Sequence, residues 1–434
     1  MKAFAEHVSD LEKLVEEARQ TSGLRKRRSL LKPSLDGAVQ KEFRSRVSLA
    51  ARRASGAFFT GTTLARRLSR HLLDDVGPDC LIADPACGVG DLLLAAARAL
   101  PVGIDLDETL QFWGSRLMGT DINPEFVRAT KIRLLMLAIS RLRARQADTP
   151  PAPRDLFPLI RECDYLARPE TIADASHILV NPPYYTLPAP ADCRWGSGTV
   201  SAAAVFMDKC LSGVCEGTRI RAILPDVLRS GSCYEKWRRH VESISETLRV
   251  STYGQFDNFA DVDVFVLELA KGKKKNRRKA IWWKSAKRAH AGRVGDYFAV
   301  HVGPVVPHRH PEEGPTVAYI HARTLPPWGV KARMNERRRF SGTLFKPPFV
   351  AVRRTSRPGE HRAVGTIITG KRSVAVENHV LVLLPHKKTT GECYRLLRLL
   401  RKRETDNWLN TRIRCRHLTV QAMQEIPAWS SEDG

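Results

Sequence analysis

No two of the nine cysteines stand in a C-x-x-C spacing, so neither a zinc site nor a disulfide framework is indicated. The odd count reads as reduced thiols in a cytoplasmic protein. No apolar run approaches the roughly 20 residues that a membrane helix needs. The opening stretch MKAFAEHVSDLEKLVEEARQ has the spacing of an amphipathic helix and lacks the apolar core of a signal peptide, so no membrane partner is expected. His308 and His310 in PHRHPEE have no further ligand at a metal-binding spacing, and a metal site needs three or four converging groups. No metal is expected, and no clear PD-(D/E)xK arrangement supports a nuclease.

The last part of the chain is poor in negative charge. Residues 1–270 carry 36 Lys and Arg against 34 Asp and Glu, whereas residues 271–434 carry 35 against 12. Nearly all of the net charge of +25 therefore lies in the last third. Solubility asks only for a few net charges, so the one-sidedness points to a polyanion partner.

Three regions follow from the patterning. Residues 1–54 are helix-prone and include the basic stretches RKRRS and ARRAS. From 55 to 270, strand-like apolar runs alternate with helical stretches, the pattern of a parallel sheet with crossover helices. The run KGKKKNRRK at 271–279 breaks that pattern. Beyond it, segments rich in Gly and Pro separate short strands (FVAVRR, AVGTII, HVLVLLP), and the end reads as helical. The fold class expected is α/β in the middle region, followed by an irregular, loop-rich second domain over 271–434.

In ADPACGVGD, residues 83–91, Asp84 and Pro85 close a strand, and Gly88 and Gly90 allow a tight turn into a helix. A G-x-G-x-x-G fingerprint would need a third glycine where Leu93 stands. The acid that opens the turn would repel a pyrophosphate but hold an ammonium group, and S-adenosylmethionine carries such a group and no phosphate. Cys87 fills a place in the turn where a small residue is needed. A second strand ends MGTDINP, which sets Asp121 where an acid can accept hydrogen bonds from both ribose hydroxyls; the alternative is an Asp that caps the next helix, a role Asn123 could fill equally well. RECDYLA puts Asp164 at the tip of a third strand.

ILVNPPYYTL, residues 178–187, is a buried strand stopped by two prolines. The stiff loop after it offers the carboxamide oxygen of Asn181 and the carbonyl of Pro182 as two fixed acceptors. Two acceptors on one point suit an exocyclic amine, and Tyr184 supplies a face on which a base can stack. The bland alternative is a proline-rich turn with its tyrosines in the core.

Asp84-Pro85-x-Cys87-Gly88-x-Gly90, then Asp121, Asp164 and Asn181-Pro182-Pro183-Tyr184, in this order, resemble the amino-group DNA methyltransferases. They resemble most the γ-type adenine-N6 enzymes of restriction-modification systems. SGAFFTGTTLARRL at 55–68 is similar to the family's segment over the methionine end of the donor, with Thr60-Gly61 where the family usually shows Thr-Pro. YGQFDNFADVDVFVLEL resembles a late motif whose aromatic, here Phe259 with Phe256 as runner-up, stacks on the far face of a flipped base. RHLTVQAMQEIPAW resembles the closing helix of such recognition domains.

The resemblance implies a Rossmann-like S-adenosylmethionine-dependent methyltransferase domain over 55–270. A helical extension over 1–54 precedes it, and a basic α+β target-recognition domain over 271–434 follows. It implies S-adenosyl-L-methionine held by Thr60, Asp84, Pro85, Cys87, Gly88, Gly90, Asp121 and Asp164. The target amine would be gripped by Asn181 and Pro182 beside Pro183, with Tyr184 and Phe259 around the base. Double-stranded DNA is the implied partner, with a cognate restriction endonuclease or specificity subunit as further partners. The competing expectations are a protein-glutamine or RNA methyltransferase, cytosine-N4 chemistry, and a non-catalytic DNA-binding subunit. Arg353, Arg354, Arg357 and Arg362 stand as candidates for phosphate or guanine contacts, and Trp282-Trp283 as strand residues of the second domain or a stacking surface.

Overall fold

The computed structural model describes residues 2–55, 58–70, 80–142, 156–256, 262–273, 280–283 and 292–428. The chain divides into two compact units. The first comprises residues 1–225 and 236–280, the second 226–235 and 281–434. Among the described residues no helix is long and apolar enough to cross a membrane.

The first unit opens with helices α1 (Lys2–Gln20), α2 (Leu24–Leu35), α3 (Ala38–Arg46), α4 (Leu49–Ser55) and α5 (Thr62–Ser69). Along α1, Phe4, Val8, Leu11, Val15 and Ala18 are buried, a helical stripe with steps of three and four that faces a core. Strand β1 (Ile82–Asp84) leads into α6 (Asp91–Ala99) and α7 (Leu106–Gly114), and β2 (Leu117–Asp121) into α8 (Pro124–Arg141). Asn123 caps α8 by accepting from the backbone N–H of Glu125 at 3.0 Å, and Pro124 takes the first helical position, where its missing N–H costs nothing. Helix α8 is buried on almost every face, because α1 and α2 pack on it as well as the strands. Arg128 of α8 ties it to Glu12 of α1 at 2.9 Å.

There follow β3 (Ile160–Glu162), β4 (His177–Val180), β5 (Thr186–Pro188), β6 (Thr199–Ser201), α9 (Ala202–Gly213) and β7 (Arg219–Pro225). After α10 (Asp226–Ser230), which belongs to the second unit, and α11 (Glu235–Ser243), the sheet is completed by β8 (Ser245–Gln255) and β9 (Asp263–Lys271). Seven strands lie in the order β3-β2-β1-β4-β7-β9-β8. The first five are parallel and β9 is antiparallel to both its neighbours. All four residues of β4 are buried, as a strand covered on both faces requires. The order reverses between β1 and β4, and in an open sheet ligands bind outside the carboxyl ends at such a point.

The second unit contains α12 (Val294–Tyr297), β10 (Phe298–Val302), β11 (Thr316–Ile320), β12 (Val330–Lys331), β13 (Arg337–Arg339), β14 (Phe349–Arg353), β15 (Gly365–Ile368), β16 (Val374–Val376), β17 (Val380–Pro385), α13 (Thr390–Arg401), α14 (Arg403–Arg412) and α15 (Val420–Gln424). A five-stranded sheet has the order β10-β17-β14-β15-β12 and a three-stranded one the order β13-β11-β16. Alternation along the strands builds two cores. Val350, Val352, Leu381 and Leu383 pack with Leu396 and Leu400 of α13. Phe349, Ala351, Val380 and Val382 pack with Ile320, Val374 and Val376 of the smaller sheet. The expected strands 349–353, 365–368 and 380–385 are present. Trp282 and Trp283, however, lie in a bend rather than a strand. Trp282 is buried, and the guanidinium of Arg412 sits 3.6 Å from the ring centre of Trp283.

Candidate active site in the first unit

A cavity of about 420 Å³ opens at the carboxyl ends of β1, β2 and β4. Asp84 ends β1, Asp121 ends β2, and Asn181 follows β4 directly. Gly88 and Gly90 turn the chain from β1 into α6 with φ of +52° and +88°. A Cβ on Gly90 would stand 2.8 Å from Cγ2 of Thr130, so close helix packing and a left-handed backbone both demand glycine there. The turn is clamped by Asp121, whose Oδ2 accepts from the Gly88 N–H at 3.0 Å while Oδ1 accepts from the Asn123 N–H at 2.9 Å.

Electrostatically, the cavity is acidic. Asp84, Asp91, Asp121, Glu125 and Asp164 line it, and among the described residues no Lys or Arg does. Burial pushes the Asp84 carboxyl well above its ordinary range, helped by the negative charges of Asp121 and Asp91. Burial likewise raises Asp121 to about 6, against the backbone N–H groups of Asn123 and Gly88 that favour its charged form. Buried carboxylates left short of donors gain from a ligand that brings hydroxyl or ammonium hydrogens. The carboxylates around the turn repel a pyrophosphate, and no cation of the described lining offsets them. Phe59, Phe126, Tyr165 and Phe206 add apolar wall, with Tyr165 and Phe206 rings 5.6 Å apart.

The wall over the glycine turn is held from outside by the N-terminal helices. Phe43 of α3 stacks edge-on against Phe59 at 4.8 Å, and Phe59 against Phe126 at 5.2 Å. Asp91, the first residue of α6, accepts from the Gly61 N–H at 3.0 Å and from Nη1 of Arg133 at 3.0 Å. It also accepts from the side chain of Gln40. Arg133 is fully buried and donates to the Ser34 carbonyl at 3.0 Å and to the Val89 carbonyl. One carboxylate thus fastens α3, the Thr60-Gly61 segment, α6 and α8.

The Asn181 carboxamide is fully specified by its partners. Its Nδ2 donates to the Phe58 carbonyl and to Oγ1 of Thr60, both at 3.1 Å. Its Oδ1 accepts from the Tyr184 hydroxyl at 2.6 Å. The Phe58 carbonyl, which can only accept, fixes which end is the nitrogen, and one lone pair of the oxygen remains. The Tyr184 hydroxyl also reaches the Ile223 carbonyl at 3.3 Å, and its ring meets Phe256 edge-on at 5.8 Å. Burial raises the Tyr184 phenol well above its ordinary value, so it stays a donor.

Thr60, Asp84, Pro85, Cys87, Gly88, Asp121, Asp164, Asn181 and Pro183 all line the one cavity. Gly90, Pro182 and Tyr184 are not part of its lining, and the exposed Tyr185 is. Asp164 accepts from the Leu166 N–H at 3.0 Å. The Cys87 thiol is buried and pushed well up by that burial, which fits a small filler. Phe259 lies outside the described residues. Sequence reasoning missed Asp91, Gln40, Arg133 and Tyr185. Asp91 could have been found as an acid at a helix N-terminus, but its partners are 42 and 51 residues distant and carry no local signal. Among the described residues no group of His, Cys, Asp and Glu could hold a metal.

A mixed sheet of this order, with an acid-lined cavity at the switch point, defines a Rossmann-like methyltransferase domain, and the second unit is an irregular α+β domain. Residues 44–291 match the N-6 DNA Methylase family, more than half of the chain, and the protein belongs to that family. No curated protein matches it. Among solved structures, the type IIL restriction-modification enzyme MmeI in complex with DNA aligns at 12% identity and TM-score 0.56, over 91% of this chain and 70% of that one. The type IIG restriction endonuclease BpuSI aligns at 15% identity and TM-score 0.45, over 93% of this chain and 61% of that one. The type I restriction enzyme EcoKI M protein aligns at 19% identity and TM-score 0.40, over 63% of each chain. The chain thus spans under two thirds of the length of the last two relatives.

Proposed function

We propose that the protein is a site-specific DNA adenine-N6 methyltransferase using S-adenosyl-L-methionine, the modification arm of a restriction-modification or phage-defence system. The observation that carries this reading is the convergence of a cation-free, carboxylate-lined cavity and an oriented Asn181 carboxamide at one sheet switch point. When bound, the cofactor supplies an electrophilic methyl group on a sulfonium.

The chain's own residues do the rest. The Asp121 carboxylate accepts from ribose hydroxyls while it keeps the glycine turn closed, and Asp84 takes the ammonium end. The free lone pair of the Asn181 oxygen and the Pro182 carbonyl accept the two hydrogens of the target amine, which leaves the amine lone pair available for attack. As positive charge develops on that nitrogen, both acceptors bind it more strongly, and rate comes from this and from orientation; the methylated nitrogen then gives up one of its two protons to water. A stacked duplex hides the amine, so the target adenine is flipped out, and Tyr184 offers it an aromatic face. The helices of residues 1–54 act as a brace for the donor site, residues 55–270 carry the chemistry, and the basic region 271–434 binds DNA phosphates. A cognate endonuclease or specificity subunit completes the system.

The test is transfer of labelled methyl from S-adenosylmethionine to unmethylated genomic DNA, with nucleoside analysis of the product. Label in N6-methyladenine is expected. Label in N4-methylcytosine would move the target base. Label only in RNA or protein, with donor binding intact, would overturn the DNA assignment.

A further inference from the structure

The arginines that sequence alone offers for DNA contact are mostly occupied. Arg353 donates to the Leu325 carbonyl at 2.7 Å. Arg354 donates to the carbonyls of Leu418 and Asn378, both at 3.3 Å. Arg362 is fully buried and holds the Cys415 carbonyl at 2.7 Å. These side chains join the segments of the second unit. The unit's free positive charge has to be sought elsewhere.

A second cavity, of about 460 Å³, lies within that unit between two loops. One loop, residues 332–336, joins β12 to β13; the other, residues 369–373, joins β15 to β16. Each passes from the five-stranded to the three-stranded sheet. They run side by side because β12 and β15 pair in parallel and the Thr369 N–H extends that pairing to the Lys331 carbonyl at 3.0 Å. Arg333, Arg337, Lys371 and Arg372 all line the cavity and all are exposed, and among the described residues no carboxylate lines it. Glu336, the one acid in these loops, is paired with Nε2 of His321 at 2.9 Å and does not line the cavity. Arg337 spends one nitrogen on the Thr316 carbonyl at 3.2 Å.

We propose that this cleft is the phosphate anchor of the second unit, in which Arg333, Lys371 and Arg372 grip the sugar–phosphate backbone of duplex DNA. The inference rests on the DNA reading given above and deepens it by naming the surface. Four cations held around one concavity by two pinned loops and the start of β13 repel one another, and a polyanion relieves that repulsion. Displacement of condensed counterions then makes binding salt-dependent, with a slope of about 0.9 per phosphate neutralised.

The experiment measures affinity of the full chain for a random-sequence duplex by fluorescence anisotropy over a salt series. It compares Arg333→Ala, Lys371→Ala and Arg372→Ala with Arg398→Ala and Arg401→Ala, exposed changes on α13 that remove the same charge elsewhere. Each cleft variant is expected to flatten the salt slope by about 1, which amounts to about a tenfold loss of affinity at 0.1 M salt relative to 1 M. The α13 variants are expected to keep the wild-type slope. Cleft variants whose slope and affinity match those of the α13 variants would overturn the proposal. A wild-type chain that binds S-adenosylmethionine but no duplex would instead overturn the DNA reading itself, and the anchor with it.

Discussion

The hydroxyl of Tyr184 donates to the carboxamide oxygen of Asn181 at 2.6 Å. The residue expected to present a face to the target base therefore also orients the residue expected to grip its amine. The side chains interact within a loop whose backbone is stiffened by Pro182 and Pro183.

Tyr184→Phe keeps the ring and removes that donor. A neutral hydrogen bond of this kind contributes about 1 kcal/mol, so the turnover number is expected to fall about fivefold with donor affinity unchanged. Asn181→Ala removes the acceptor itself, and a loss of about 100-fold or more in turnover is expected, the scale of one preorganised group at a developing charge. Single-turnover methylation of an unmethylated duplex measures both. Losses that add in the Asn181→Ala/Tyr184→Phe double variant would mean that the Tyr184 hydroxyl does not act through Asn181.

Asp121 sets a pH dependence. Its carboxyl is raised by burial to about 6, so below that pH the protein without cofactor holds a proton on it. Acceptance of ribose hydroxyl hydrogens by both oxygens needs the charged form. Donor affinity is therefore expected to be constant above about pH 7 and to fall as pH drops through 6, by up to about tenfold per unit, the limit for one coupled proton. Calorimetric titration with S-adenosylmethionine from pH 5 to 8 follows it, and Asp121→Asn is expected to bind weakly with no such slope. The same raised value bears on folding. The native state keeps its proton where the unfolded chain has lost it, so this group's contribution to stability falls as pH rises from about 4 to about 6.

Local patterns made much of the first unit legible. The glycine turn, the acid at the tip of β2 and the double proline after β4 each depend on residues within a few positions, and backbone constraint makes such signals readable. The charge asymmetry marked the basic region but could not say which arginines are free. Arg353 and Arg362 look alike in sequence to Arg333 and Arg372, and only the fold reveals that the first pair is occupied by carbonyls. The brace on the glycine turn was equally invisible. Gln40, Gly61, Asp91 and Arg133 meet only because α3, α5, α6 and α8 pack together.

That brace yields a stability prediction. The side chains of Arg133 and Asp91 are 0% and 4% exposed. Removing one partner leaves a buried charge unpaired, which costs about 3–5 kcal/mol. Asp91→Leu is expected to lower the unfolding free energy by about that amount in a urea titration. Asp91→Leu combined with Arg133→Met is expected to recover part of it, because the unpaired guanidinium is gone. If the double variant were no more stable than the single, the hydrogen bonds to Gly61 and Gln40 would be the dominant contribution.

Gly90→Ala separates the two demands that the turn makes on its second glycine. The backbone stands at φ +88°, where a Cβ costs about 1–2 kcal/mol. The added carbon would also lie 2.8 Å from Cγ2 and 2.9 Å from Oγ1 of Thr130, and Thr130 cannot swing away freely, since its hydroxyl donates to the Gly88 carbonyl at 2.9 Å. The strain falls on the turn that Asp121 clamps, so donor affinity is expected to drop about tenfold or more, the equivalent of about 1.4 kcal/mol. In a Thr130→Ala background both crowding atoms are gone and only the backbone cost remains, so the penalty of Gly90→Ala measured by calorimetry is expected to shrink without vanishing. An unchanged penalty would assign the whole effect to backbone conformation. Wild-type affinity in Gly90→Ala itself would mean that the turn does not shape the donor site.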